Sequence, residues 1–409
     1  MKNKNSVFYM FALAAYGKGV SGGDRIFIEF ARRWSKEYPV TIYIWEEGHQ
    51  MCRRQHLESS NIKYQISKLE RWCKPGFLIC YIARIIEGIR LGLTLNLSTN
   101  YYLPSTIIYS SSEFWMDSLP AFILKLRNPN VKWVATWFQT APNPLRGYTE
   151  QSGKNIEHRE NKYKFSAFLY WLAQLPIKPL IKKYADYVLV NNEDEKKQFP
   201  DLNKKGKVIV VLGAVPLESI NKYLTTNYQL LSTKKYDAVF QGRFHPQKGV
   251  VELIDIWKKV VEKLPDAKLA MIGDGPLMGN VKAQISKLKL EKNIKLFGYV
   301  FDGHKKYSIF AKSKIVVHPA FYDSGGMASA EAMAFGLPVI GFDLKSYESY
   351  YPKGMEKVEI GNLDKFAKKI IYLIKIQLKR KKLGREAREL VQGQLSWEKR
   401  ASEVLSAIM

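Results

Sequence analysis

A chain of 409 residues with 46% apolar content and no low-complexity tract is too long for one ordinary core, suits two domains, and excludes a disordered or fibrous protein. Its 64 Lys and Arg against 38 Asp and Glu leave a net charge of +26, so the expected partner is anionic: nucleotide phosphates, an anionic membrane face or nucleic acid. Cys52, Cys73 and Cys80 are odd in number and lack metal-ligand spacing, which fits a reducing compartment.

The N-terminal MKNKNSVFYMFALAAYG has the outline of a signal peptide. A glycine-rich turn and an apolar-periodic helix follow at once, which favours a buried first strand over residues 6–14. DRIFIEFARRWSKEY (24–38) reads as an amphipathic helix, and VTIYIW (40–45), TIIYSS (106–111), KWVATWF (132–138) and DYVLVNN (186–192) as buried parallel strands. GFLICYIARIIEGIRLGL (76–93) and FSAFLYWLAQLPIKPLIKK (165–183) are apolar helices, but no run reaches the ~18 apolar residues of a membrane span. Each is either a core-facing helix with a charged outer side, Arg84 and Arg90 in the first, or a segment docking on an anionic cytoplasmic leaflet. Segment 140–165 is polar and without periodicity, a long loop.

After KVIVVLGAVP (207–216), the polar LTTNYQLLSTKKY reads as linker, and a second alternation of strands and helices begins at DAVFQGRF. Two doubly wound α/β halves are therefore expected, residues 1–212 and 236–391 joined by 213–235, with ligands at the carboxyl ends of their strands.

Three loops in the second half sit at such ends. QGRFHPQKGV (241–250) places Arg243 and Lys248 before a helix start, where free amide hydrogens and two cations suit a phosphate; two solvated basics on a turn are the plainer alternative. GDGP (273–276) repeats the strand-to-turn pattern. FYDSGGMASAEAMAFGLPV (321–339) puts Asp323 ahead of Gly325, Gly326 and Met327, and Glu331 one turn inside a small-residue helix. Capping explains Asp323 and a helix-face charge explains Glu331. However, small apolar neighbours leave the Glu331 carboxylate in need of a partner, and a ligand hydroxyl pair is one.

In this order the motifs resemble glycosyltransferase family 4, retaining enzymes of the GT-B fold. GVSGGDR (19–25), KKYADYVLVNN (182–192), GRFHPQKG, GDGP, LFGYV, DSGGMASAEAMAFGLPVI and LSWEKRA (395–401) all match the family's sequence of signatures across nearly the whole chain. The resemblance implies two facing Rossmann-like domains with a cleft between them, the first for the acceptor and the second for the donor. It also implies a C-terminal helix, about 392–409, that crosses back to complete the first. It gives Arg243 and Lys248 the donor diphosphate, Glu331 the ribose hydroxyls, and the backbone near Tyr299 the base. Asp323 takes the transferred sugar, and the Gly325, Gly326 and Met327 amides its hydroxyls and phosphate. Gly242 and Gly273 join the donor side, while Gly22 and Gly23 allow close backbone approach to donor or acceptor.

Two departures stand out. Asp323 is one methylene shorter than the family glutamate, and Phe138 or Gln139 stands where the family usually has histidine. Gln139 can hydrogen-bond a sugar hydroxyl but supplies no imidazole.

No Asp-x-Asp occurs, so the expected enzyme needs no metal or other cofactor, and protein cations meet the leaving-group charge. The expected function is transfer of a sugar from a nucleoside diphosphate donor to a hydroxyl of a glycan or lipid-linked acceptor. The expected location is the cytoplasm, peripheral to the membrane face. A degenerate sugar-nucleotide binder is one rival. A nucleic-acid-binding protein is another, permitted by nine Trp and 24 Tyr but without module signatures, so no nucleic-acid partner is expected.

Overall fold

The computed structural model describes residues 6–15, 19–68, 76–97, 106–149, 164–227 and 233–409. Cys73 and most of the expected loop 140–165 lie outside the described residues, as do the first five residues and 228–232.

The chain divides into two compact units. The first comprises the residues up to Ala141, Leu169–Gly213 and Trp397–Met409. Its strands are β1 (Val7–Phe11), β2 (Val40–Trp45), β3 (Ile62–Ser67), β4 (Thr106–Ser110), β5 (Lys132–Trp137), β6 (Tyr187–Val190) and β7 (Val208–Val210). They form one parallel sheet in the order β3-β2-β1-β4-β5-β6-β7. Consecutive residues such as Ile107 and Ile108, Trp133 and Val134, or Val188 and Leu189 are fully buried, because helices cover both faces. That is why these strands read as continuous apolar runs rather than as alternation.

Helix Gly22–Trp34 follows β1 and starts on a capping box, in which the Asp24 N–H donates to Ser21 Oγ and the Ser21 N–H to Asp24 Oδ2. The last helix, Trp397–Ile408, belongs to the same unit, and Trp34 Nε1–H donates to the Ala401 carbonyl at 3.1 Å.

The second unit comprises Pro142–Phe168 and Ala214–Ser396. Strands β8 (Tyr236–Gln241), β9 (Leu269–Ile272), β10 (Ile294–Leu296), β11 (Ser313–His318), β12 (Val339–Phe342) and β13 (Met355–Val358) are again parallel, in the order β10-β9-β8-β11-β12-β13. The chain winds from β8 toward one edge, then returns to β11 and winds toward the other. The loops after β8 and β11 therefore lie side by side at the point where the winding reverses, where open α/β sheets hold ligands.

The segment read as linker is not extended throughout. It contains helix Leu217–Thr226, with Ile220, Tyr223 and Leu224 buried at helical spacing, an apolar stripe masked by its polar neighbours.

Candidate functional site

The turn after β8 tightens into a short 3-10 segment, Pro246–Lys248, with His245 Nδ1 accepting from the Gln247 N–H at 3.4 Å. It ends at Gly249, which adopts φ +61°, and a Cβ there would lie 2.0 Å from the Pro319 carbonyl oxygen. Only glycine satisfies both demands, and it lets the β8 and β11 loops touch. The Phe321 N–H donates to the Gln247 carbonyl at 2.8 Å across the same seam. Lys248, 75 residues away in sequence, thereby reaches Asp323 Oδ2 at 2.5 Å.

Asp323 is buried and fully engaged. Its Oδ2 also accepts from His318 Nε2 at 2.9 Å and from the Tyr347 hydroxyl at 3.1 Å. The Gly325 and Gly326 amides approach Oδ1 at 3.4 and 3.3 Å. Burial acts to raise the pKa of this carboxyl, but the Lys248 ammonium and the His318 ring outweigh it and hold it well below the usual carboxylate range. Burial lowers the pKa of His318 against the pull of Asp323, so near neutral pH a neutral ring donates its Nε2–H, a tautomer set by this network.

Helix Ser346–Tyr350 and Tyr351 form the floor of the glycine pair. The Tyr351 hydroxyl donates to the carbonyls of Gly325 and Gly326 at 2.9 and 2.7 Å. The Tyr350 ring fills the space where a Gly325 side chain would stand, 2.3 Å from an added Cβ.

Glu331 lies on the short helix Met327–Met333 that follows. Its Oε1 pairs with Lys306 Nζ at 2.6 Å and its Oε2 accepts from Gln241 Nε2 at 3.2 Å. Lys306 also pairs with Asp302. Burial opposes its charge, but Glu331 and Asp302 outweigh burial and raise its pKa. Gln241 Oε1 is buried with no hydrogen-bond partner among the described residues, an acceptor beside Glu331 that a ligand hydroxyl would satisfy.

Of the other expected site residues, Gly242 and Gly273 come together, since a Cβ on Gly273 would lie 1.8 Å from the Gly242 oxygen. Arg243 is exposed with no ion pair among the described residues. Met327 opens its helix, and Tyr299 is exposed with its ring edge-on to Phe301.

Gly22, Gly23 and Gln139 belong to the first unit. A Cβ on Gly23 would meet the Phe138 ring at 3.2 Å, and the Gln139 carbonyl accepts from Gln174 Nε2 at 2.7 Å and the Tyr170 hydroxyl at 3.2 Å. Phe138 is buried in that packing.

Sequence reasoning missed Lys306, His318, Gln241 and the tyrosine floor. His318 ends a strand ahead of the acidic loop, and SYESYY sets Tyr347, Tyr350 and Tyr351 at helical spacing, which are usable signals. Lys306 carries none in so basic a chain.

The family described as glycosyl transferases group 1 matches residues 222–390, which hold Arg243, Lys248, Asp323 and Glu331. An uncharacterised glycosyltransferase of Methanocaldococcus jannaschii is 26% identical over 255 residues, 60% of this chain and 57% of that protein. The poly(ribitol-phosphate) α-N-acetylglucosaminyltransferase of Staphylococcus aureus is 28% identical over 212 residues, 48% of this chain and 42% of that protein. The chain thus spans about half the length of these curated relatives.

Among solved structures, Anabaena HepE in complex with UDP and glucose superposes with a TM-score of 0.67 at 13% identity, covering 98% of both chains. A variant of S. aureus TarM in complex with fondaparinux, α-GlcNAc-glycerol and UDP gives 0.66 at 15% identity, covering 98% of this chain and 99% of that one. With its two parallel α/β sheets the chain has the GT-B fold these structures share, and within it residues 222–390 match the group 1 glycosyl transferases.

Proposed function

We propose that the protein is a retaining, metal-independent glycosyltransferase. It moves a sugar from a nucleoside diphosphate to a hydroxyl of a glycan or lipid-linked acceptor, in the cytoplasm and at the anionic inner face of the membrane. The observation that carries this reading is the junction of the β8 and β11 loops, where Lys248 is fixed on Asp323 beside the Gly325–Gly326 amides. The donor binds the second unit and the acceptor the first.

Lys248 spends one N–H on Asp323 and keeps two for the diphosphate, with exposed Arg243 as the second cation. Glu331, anchored by Lys306 and Gln241, has lone pairs left for the ribose hydroxyls. Tyr299 contributes backbone to the base. The Gly325 and Gly326 amides hold Asp323 only at 3.3–3.4 Å, contacts that sugar or phosphate oxygens can share, and Met327 extends the set.

In the transfer, the bond between the sugar C1 and the β-phosphate oxygen breaks, and the acceptor oxygen bonds to C1 on the same face. The acceptor proton passes to the departing phosphate oxygen. Lys248 and Arg243 meet the charge that develops there, so no metal or other cofactor is required. Gln139 takes a sugar hydroxyl in place of the family histidine.

HepE and the TarM variant hold UDP, which makes UDP-sugars the first donors to test. The deciding measurement is sugar transfer by the full chain after exhaustive metal removal, with and without excess EDTA, alongside calorimetric binding of the donor. Transfer that survives EDTA is the expected result. Binding without transfer would make the protein a sugar-nucleotide binder, and loss that magnesium or manganese restores would overturn metal independence.

A further inference from the structure

Helix Phe77–Thr94 turns the sequence expectation inside out. Its inner side packs closely on helix Trp115–Arg127: a Cβ on Gly88 would lie 2.7 Å from the Met116 oxygen, and one on Gly92 2.9 Å from the Ile123 Cβ. Of the two cations expected outside, only Arg90 is exposed. Arg84 is buried, its guanidinium 3.6 Å above the Trp45 ring, and Arg90 is neutralised by Glu87 at 2.7 Å. Around Arg90, what faces outward is mainly aliphatic. Leu78, Ile82, Ile86 and Leu93 are exposed along one side, with Ile79 beside them.

Helix Lys164–Gln174 repeats the pattern, with Phe165, Phe168, Leu169 and Leu172 exposed at helical spacing and Leu175 continuing the line. Soluble monomers rarely leave such stripes bare. Among the described residues no helix is long and apolar enough to cross a membrane, so insertion must be shallow.

We infer that the aliphatic stripe of helix Phe77–Thr94, with Leu169, Leu172 and Leu175, is the surface by which the protein docks on an anionic lipid bilayer. Charge decides between a bilayer and a second copy of the chain. Exposed Lys182 and Lys183 lie on helix Ile177–Tyr184, which packs on the same helix Trp115–Arg127 as helix Phe77–Thr94 does. The chain as a whole carries +26, which repels a second copy and attracts an anionic leaflet. The docking surface deepens the partner reading above and rests on it only for the choice of membrane face. Its test reads lipid binding, so either can fail alone.

The experiment is co-sedimentation of the full chain with vesicles of phosphatidylglycerol and phosphatidylcholine, against phosphatidylcholine alone, at low and high salt. Expected are binding to the anionic vesicles, weak binding to the neutral ones and release by high salt. The paired substitutions Ile82→Ser with Ile86→Ser, and Leu169→Ser with Leu172→Ser, touch exposed side chains. Each pair should lower vesicle affinity about tenfold or more, with the melting temperature and nucleotide binding unchanged. Lys182→Glu with Lys183→Glu should lower it at least as far on anionic vesicles. No binding at low salt overturns the inference, as does affinity unchanged by the serine pairs. A dimer in sedimentation velocity that the serine pairs dissociate would assign the stripe to a second copy instead.

Discussion

The loops at the carboxyl ends of the two sheets share a topology and differ in electrostatics. In the second unit, both buried acids hold a cation: Asp323 holds Lys248 and Glu331 holds Lys306. In the first, Asp117 is fully buried and its donors among the described residues are neutral, including the Ala14 N–H at 3.1 Å and the hydroxyls of Ser111 and Ser112 at 3.0 and 2.5 Å. Glu113 accepts from the Tyr170 hydroxyl and Gln174 Nε2, both at 3.3 Å. Burial pushes Asp117 and Glu113 each up to about 7, whereas Asp323 is held well below the usual range. A carboxyl beside an ammonium stays ionised, and one among dipoles drifts toward neutrality. The charged edge suits a diphosphate and the neutral edge suits hydroxyls, which matches the proposed division between donor and acceptor.

The largest effect is expected from removing a cation on the charged edge. Lys306→Met leaves Glu331 and Asp302 facing each other without their shared ammonium. Stripping one partner from a buried pair typically costs about 3–5 kcal/mol, so the melting temperature of the full chain should fall by several degrees or more. An unchanged melting temperature would mean that water replaces Lys306 and that this edge is no more charge-dependent than the other.

Lys248→Ala should act on turnover. Loss of a preorganised charge at the leaving group typically costs on the order of 10²–10³ in rate. Asp323 keeps His318 and Tyr347 as donors, so the fold should survive. Near-normal kcat in the folded variant would remove Lys248 from the leaving group.

The comparison also has a pH form. Asp117 and Glu113 have folded-state pKa values above their unfolded ones, so their contribution is fully present below the unfolded values near 4. It is lost as pH rises toward 7. Asp323 has the opposite sign: its contribution is present above its ordinary value and is lost in stronger acid. Stability of the first unit should therefore fall between about pH 4 and 7, with a limiting slope of ~1.4 kcal/mol per pH unit for each proton. Asp117→Asn should flatten that slope in denaturant titrations across the range. A slope identical to that of the unsubstituted protein would show that Asp117 is already ionised.

How much of this was legible in the sequence follows from how local each feature is. The buried strands were readable because both faces are covered and the apolar runs are unbroken, as at Ile107–Tyr109 and Val188–Val190. The acid–glycine loop was readable because its parts lie within nine residues of one another. Helix Leu217–Thr226 reads as linker in the sequence because its three buried residues stand among Asn, Lys and Thr. Arg84 reads as an outer charge because periodicity records a face but not the Trp45 ring waiting on it. The partners of the two acids were hidden by distance: Tyr347 lies 24 residues from Asp323, and Gln241 lies 90 from Glu331. Only the winding of the sheet brings them together.

The smallest effect tests the floor of the charged edge. Tyr351 touches neither acid, and its hydroxyl spends its proton on the carbonyls of Gly325 and Gly326. Burial is the first cause holding that hydroxyl's pKa well above its ordinary value, so it remains a donor at every working pH. Tyr351→Phe keeps the ring packing and deletes the donor, leaving two carbonyls short of a partner, at about 1 kcal/mol. Because Gly326 sits at φ +57°, these carbonyls fix which way the neighbouring amides point. The loss should therefore appear as a several-fold drop in kcat, with donor affinity by calorimetry nearly unchanged. Tyr347→Phe, which removes one of three donors to Asp323 Oδ2, should behave alike. If both variants keep full kcat and lose only thermal stability, the tyrosines support the fold and do not orient the loop, and the charged edge owes its geometry to Lys248 and His318 alone.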